Sequence, residues 1–371
     1  MAGEIGDDPS SPTRLRSCLV VGNYCHDVLI KDGSVIAESI GGATSFISAV
    51  LDGFDVASRY VSKVGPDFAY SVPRRPVVCA SSRTTVFHAY FSSEIKRQDR
   101  VLKRVRACEP IWASDLPESR FDFGLAVGVG GEILPETLER MIQICGTVLV
   151  DIQALIRVFD PADGTVNHLD LNRTGFSHLL PRIGFLKASS DEAPFLDLEE
   201  ARKRCCVVVT NGSDGCTVFT EDSETKIAAF PTIQVDPTGA GDSFLGGLVA
   251  GLAHGLPVPD SALLGNFFGS LTVGQMGHTK FDPHLLQRVK GEVVGRKGKD
   301  EDDQFFTVLD AARSSSSSSG ACFLREECKR ELPAGNTVPA PGSKCGDQQR
   351  FSLVHCSVHE EEAIPALENK H

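Results

Sequence analysis

Several short runs along this chain, "CLVVGNY", "DFGLAVGVG", "GTVLVDIQ", "IGFLKAS" and "CCVVVTNG", are apolar at nearly every position instead of at alternate ones. A strand built that way has no face to offer water and must be covered on both sides. Helical patterns separate the runs. Buried strands alternating with helices predict an α/β fold, with a central, mostly parallel sheet flanked by helices. "PETLERMIQICG" reads as a helix with Pro at its opening and Gly after its last turn. "GDSFLGGLVAGLAHG" is apolar nearly all round and predicts a deeply buried helix.

Other stretches have a different texture. Between about 84 and 116, "TTVFHAYFSS" and "VLKRVRAC" alternate as strands of a half-exposed sheet do, which suggests a small β flap beside the main sheet. After 290 the chain turns charged, Ser-rich and Pro/Gly-rich, with "RKGKDEDDQ" and "SSSSSSG". These features predict a flexible start over 1–16, a folded domain over 17–290 and a mostly disordered tail over 291–371.

Of the 371 residues, 41% are hydrophobic and 23% charged, which suits a soluble globular protein with a sizeable core. A net charge of −12 argues against nucleic acid as a partner, because binding it requires a surplus of Lys and Arg. Anionic ligands must then be held by local geometry. The 12 cysteines contain no C-x-x-C pair, so reduced, mostly buried thiols are expected, not a zinc site or a disulfide framework. The polar start has no secretory pattern and no apolar run has the length of a membrane span, so the expectation is a cytoplasmic chain without a membrane partner.

The stretch richest in chemistry is "DPTGAGDSFLGG". A turn leading into a helix exposes unpaired N–H groups at the positive end of the helix dipole, and together these make an anion site. Gly239, Ala240 and Gly241 let those N–H groups approach a phosphate. Asp242 follows at the helix entrance. A carboxylate beside an anion site cannot help to bind the anion, so its useful task is to accept a proton. The segment therefore reads as a phosphotransferase corner, with Asp242 as base and the Gly239–Gly241 backbone stabilising the transferred phosphoryl group. The plainer alternative makes Asp242 a helix cap.

The same run closely resembles the second signature of the PfkB carbohydrate kinase family, the ribokinase-like kinases. The resemblance extends over roughly 17–286, in the family's order of motifs. It implies a ribokinase-like fold with a β lid over the substrate site, and it implies ATP and Mg2+. "VVGNYCHDVLI" resembles the family's first strand, whose end carries an aspartate that binds substrate hydroxyls, here Asp27, although a turn aspartate would look alike. "IGGATSFISAVL" resembles the substrate loop, with Gly41 and Gly42 close to the ligand, and "SKVGPDFA" the turn at Gly65 and Asp67. "DIQALIR" makes Asp151 a substrate candidate, with Gln153 and Arg157 secondary; Arg157 equally suits a surface.

"LKASSDEA" resembles the N-x-x-E element, with Ser189 where asparagine is usual. Glu192 keeps the carboxylate that reaches magnesium through water, or simply favours a helix dipole. "VVVTNGSDGCTVF" resembles the strand–turn–strand beside the nucleotide, with Thr210, Gly212 and Gly215 in place; on its own it reads as a hairpin. Asn266, in "LLGNFFGSLTVGQMG", falls on the helix that lines the adenine pocket, though a surface Asn looks the same. In many sugar kinases of the family an asparagine follows the Gly-Gly pair, whereas Ser45 and Phe46 stand there in this chain.

These departures are most similar to the plant branch whose members phosphorylate myo-inositol with ATP towards phytate. On that resemblance the substrate is myo-inositol and the assembly a monomer or homodimer. A kinase of fructose, ribose or adenosine, and a non-catalytic metabolite binder, remain the alternatives.

Overall fold

The computed structural model describes residues 16–91, 101–296, 305 and 307–313. In chain order, β1 (Cys18–Val21) enters the main sheet, and β2 (Cys25–Lys31) and β3 (Ser34–Gly41) form a hairpin outside it. Helix α1 (Ala43–Gly53) leads to β4 (Ser58–Val61), and a short pair follows, β5 (Lys63–Val64) with β6 (Val77–Val78). β7 (Thr85–Phe91) and β8 (Val101–Arg106) join the hairpin. Next come β9 (Phe121–Ala126), α2 (Pro135–Ile144), β10 (Cys145–Asp151) and the short α3 (Gln153–Ile156).

A small ribbon follows, β11 (Arg157–Phe159) with β12 (Val166–His168), then β13 (Phe185–Ser189) and α4 (Leu198–Arg202). β14 (Cys206–Thr210), β15 (Cys216–Phe219) and β16 (Glu224–Ile227) complete the strands. Three helices close the domain: α5 (Ala240–Ala253), α6 (Val258–Val273) and α7 (Pro283–Gly295).

The main sheet has the order β16-β15-β14-β13-β10-β9-β1-β4. All pairs from β4 to β14 are parallel, and β15 and β16 are antiparallel at one edge. Alternate residues of each strand feed two separate cores. Val20, Leu125, Leu149 and Val208 pack with α1, α5 and α6, while Leu19, Val150, Leu186 and Val207 pack with α2 on the other face. That double burial is the reason the strands read as unbroken apolar runs.

Helix α5 is buried from Ser243 to Ala253, as its all-round apolar sequence predicts. Its glycines let α6 come close: a methyl on Gly247 would lie 2.7 Å from the Leu264 carbonyl oxygen, and one on Gly251 2.7 Å from Ser261 Oγ.

The four-stranded small sheet, β3-β2-β7-β8, is the expected flap, yet half of it comes from outside 84–116. The chain between Val21 and Cys25 leaves the main sheet, so Asp27 stands on the flap and not at the end of the first core strand. Gly146 likewise does not stop α2; that helix passes directly into β10 at Cys145.

The folded domain also runs past the expected limit at 290. α7 extends to Gly295, and helical residues between 305 and 313 place Phe305, Leu309 and Ala312 in the core. Their apolar spacing is too short to register as a periodic pattern beside the charged run that precedes it. All but Arg16 of the expected flexible start over 1–16, most of the tail, and Cys322, Cys328, Cys345 and Cys356 lie outside the described residues. The eight described cysteines are all free thiols.

Candidate active site

In an open parallel sheet, ligands are met at the carboxyl ends of the strands, where loops diverge and helix N-termini point inward. β10 ends there on Asp151, β13 on Ser189, with Lys187 two residues before it, and β14 on Thr210. Helix α5 begins beside them. Its N-cap, Gly239, has φ 77°, a left-handed conformation that costs a side-chain-bearing residue energy. A methyl there would also lie 2.2 Å from the Phe46 ring, and one on Gly241 2.8 Å from Lys187 Nζ. The small residues thus make room for two neighbouring side chains. Asp236 holds the approach to the corner from below, accepting from the N–H groups of Thr238 and Gly277 at 2.9 and 3.0 Å.

Asp242 lies in the first turn of α5 but does not cap it, because Gly239 occupies that place. Its Oδ1 accepts from Gln153 Nε2 at 3.1 Å. Both line an open cleft together with Asp27, Gly42, Arg157, Thr238 and Gly239. The flap contributes Leu29, Phe87, Ala89 and Leu102 to the same cleft, and Phe46 adds an aromatic wall. Polar groups converging inside an apolar enclosure suit a small polyhydroxylated ligand.

Gly41 serves Asp27 directly, since a Cβ at Gly41 would stand 2.0 Å from the Asp27 carboxylate. At Gly42, φ is 84° and the space a Cβ would need is taken by the Asn23 carbonyl oxygen at 2.3 Å. Ser45 Oγ donates back to the Gly42 carbonyl at 2.8 Å, and Phe46 packs on His278 with ring centroids 5.1 Å apart. Both residues that depart from the sugar-kinase pattern are therefore engaged with protein. Arg157 reaches the cleft, donates to the Val129 carbonyl at 3.5 Å, and has a buried Nε without a partner among the described residues.

Behind the cleft lies a buried charge cluster. Asp151 is fully buried and pairs with Lys187 at 3.0 Å. Burial pushes the Asp151 carboxyl up to about 6, against the opposing pull of the Lys187 ammonium. Burial also works against the charge of Lys187, but Asp151, Glu192 and Asp242 together hold its affinity for a proton above the usual lysine value. Glu192 is buried too. Its desolvation is outweighed by Lys187, Arg157 and two hydrogen bonds from Ser189, N and Oγ both at 2.9 Å to Oε2, so its carboxyl stays below the ordinary glutamate value.

Not every expected residue reaches the cleft. Asp67 accepts from the Thr84 amide at 2.8 Å and pairs with Arg83 and Arg106, fixing the start of β7. Thr210 Oγ1 bonds the Ala188 carbonyl at 3.3 Å, and Gly212 and Gly215 form the β14–β15 turn with φ 58° and 86°. The Asn266 side-chain amide donates to the carbonyls of Ile227 and Ala228, pinning the end of β16. Sequence reasoning missed Lys187. Its only signal was a charge inside an otherwise apolar strand run, "FLKAS".

Comparison with known proteins places the chain in a family. Residues 160–285 match the model of the pfkB family carbohydrate kinases. The chain is 62% identical to an inositol 3-kinase of Arabidopsis thaliana over 77% of its own length and 83% of that protein's. It is 56% identical to an inositol 3-kinase of Oryza sativa subsp. japonica, over 73% of this chain and 72% of that one. Among solved structures, it resembles a pyrophosphate-dependent kinase of the ribokinase family complexed with a pyrophosphate analog and myo-inositol. That likeness has a TM-score of 0.59 at 17% identity, covers 73% of this chain and 99% of the other, and shows a shared fold.

Proposed function

This chain belongs to the pfkB family of carbohydrate kinases, alongside the inositol 3-kinases it matches, and we propose that it transfers the terminal phosphoryl group of ATP to the 3-hydroxyl of myo-inositol. The observation that carries the reading is the placement of Asp242 one turn from left-handed Gly239, inside the same cleft as Asp27. The acceptor hydroxyl gives its proton to the Asp242 carboxylate as its oxygen bonds the terminal phosphorus. The bond from that phosphorus to the bridging oxygen breaks, and ADP leaves. N–H groups at the Gly239–Gly241 corner face the charge that builds on the migrating group. Gln153 orients the base.

A cyclitol offers hydroxyls all round and no ring oxygen, so it must be held by several directional groups; Asp27, Gln153 and Arg157 supply them. Leu29, Phe87 and Leu102 of the flap exclude water, which otherwise competes as acceptor. Glu192 spends Oε2 on Ser189, and its second oxygen suits a hydrated Mg2+, which neutralises donor phosphates when bound. Thr210, Gly212 and Asn266 belong to the nucleotide side in this reading. A cytoplasmic role towards phytate is part of the same proposal and rests on the resemblance read in the sequence. Among the described residues no helix is long and apolar enough to cross a membrane.

The test is phosphorylation of a panel, myo-inositol, fructose, ribose and adenosine, with ATP or pyrophosphate as donor and the product isomer identified by NMR. The expected result is a clear preference for ATP with myo-inositol and a 3-phosphate product. Preference for any furanose overturns the substrate, and preference for pyrophosphate overturns the donor.

A further inference from the structure

We propose that Arg313, carried by the helical segment at 305–313, is a positioning residue for the donor nucleotide: it fixes the start of the irregular stretch that ends in the Gly239–Gly241 corner. The proposal rests on the phosphotransfer reading above. It adds a control on donor affinity from a segment that lines no part of the cleft.

The sequence places the segment. In "FFTVLDAAR", Phe305, Leu309 and Ala312 recur at helical spacing, and all three are buried in the core that α5 and α6 share. Arg296, paired with Asp260 at 2.5 Å, has its guanidinium 4.7 Å from the centre of the Phe305 ring and steadies the near end. Arg313 stands at the other end. Its side chain is 18% exposed and meets Asp310, one turn earlier, at 3.3 Å.

What Arg313 grips gives it a use beyond packing. Its Nη1 donates to the Pro231 carbonyl at 2.5 Å and to Thr232 Oγ1 at 2.7 Å, and the guanidinium lies 5.9 Å from the centre of the buried Phe230 ring. Those three residues open the stretch 230–238, which contains no helix or strand and runs directly into Gly239. Backbone without a ladder of its own depends on outside partners to keep one conformation. The far end of the stretch has them. The N–H groups of Val235 and Asp236 donate to the Val273 carbonyl at 2.8 and 3.2 Å, and the Asp236 carboxylate accepts from Gly277. Ile233, in the middle, is 87% exposed and adds no packing. The near end therefore relies on buried Phe230 and on the Arg313 fork, whose rigid plane reaches two acceptors at once.

The corner is read as binding the donor with backbone N–H groups, so its affinity depends on how well the approach to it is preorganised. Asp27, Gln153 and Arg157, the acceptor groups, sit on β2, α3 and β11, and Asp242 sits on α5, which is buried from Ser243 onward. Loosening 230–238 weakens the donor and leaves acceptor binding and proton transfer alone. The coupling is reciprocal: a nucleotide that orders the stretch also firms the segment that grips it.

Arg313→Ala is expected to raise the KM for ATP about fivefold or more, within what a hydrogen bond from a charged group contributes, while kcat at saturating ATP and the KM for myo-inositol stay within about twofold of wild type. Arg313→Lys keeps the charge and one hydrogen bond and is expected to recover part of that affinity. Hydrogen exchange gives a reading without turnover: ADP with Mg2+ is expected to slow the amides of 307–313 in the wild-type protein and not in Arg313→Ala. An unchanged KM for ATP, an equal rise in both KM values, or wild-type amides at 307–313 indifferent to ADP overturns the proposal. Failure of the wild-type protein to phosphorylate myo-inositol would instead count against the substrate assignment, and the exchange experiment stays readable in that event.

Discussion

Replacing Asp242 by Asn tests the base assignment with little disturbance to the fold. Asn has the same shape, and its oxygen can still accept from Gln153 Nε2, now at 3.1 Å from Oδ1. The helix cap is untouched because Gly239 provides it. What is lost structurally is one carboxylate in the first turn of α5, about 0.3–1 kcal/mol against the helix dipole. For a domain of this size that lowers the melting temperature by about 1–4 °C.

Catalysis should suffer far more. A positioned general base contributes about 10²–10⁴-fold, or about 2.7–5.5 kcal/mol of barrier. Nucleotide binding is expected to hold or to tighten, because a negative charge beside the phosphates has gone. The assay is kcat with saturating myo-inositol, alongside ATP affinity by calorimetry and a thermal melt. A variant that melts normally, binds ATP normally and keeps kcat within tenfold of wild type would show that the acceptor proton leaves by another route.

The flap yields a second prediction. The Arg104 side chain on β8 donates to the Gly130 carbonyl and lies 3.4 Å above the centre of the Phe159 ring, so Arg104→Ala should loosen the flap edge. It is expected to raise the KM for inositol several-fold and to increase ADP release without acceptor; unchanged acceptor-free hydrolysis would show that the flap does not depend on this contact. Ending the chain at 296 removes the buried side chains of Phe305 and Leu309 and should cost about 3–6 kcal/mol of stability, whereas ending it at 313 should not. Equal melting temperatures for the two truncations would refute that packing argument. Asp151 titrates at about 6 in the fold, above its unfolded value, so the folded state holds a proton between about pH 4 and 6 that the unfolded chain has released. The stability due to its neutral form is complete below about pH 4 and fades as pH rises through about 6. In melting curves against pH, Asp151→Asn should lack that decline, and parallel curves would count against it.

What the amino-acid sequence determined by itself was what depends on neighbours along the chain. Strands covered on both faces must be apolar at successive positions, so the α/β layering was legible in Val20, Leu125, Val150 and Val208. A left-handed glycine followed by a first-turn carboxylate is also local, which is why Gly239 and Asp242 stand out from the order of residues alone. Only the tertiary structure decided which distant elements meet. The flap takes β2 from the run that reads as the first strand, the Phe46 ring lies against Gly239, the Asn266 amide turns to the β16 carbonyls, and a lysine that looks misplaced in an apolar strand finds Asp151 across the β10–β13 pair. Those choices follow from burial and charge compensation between segments far apart in sequence, and no periodicity along the chain encodes them.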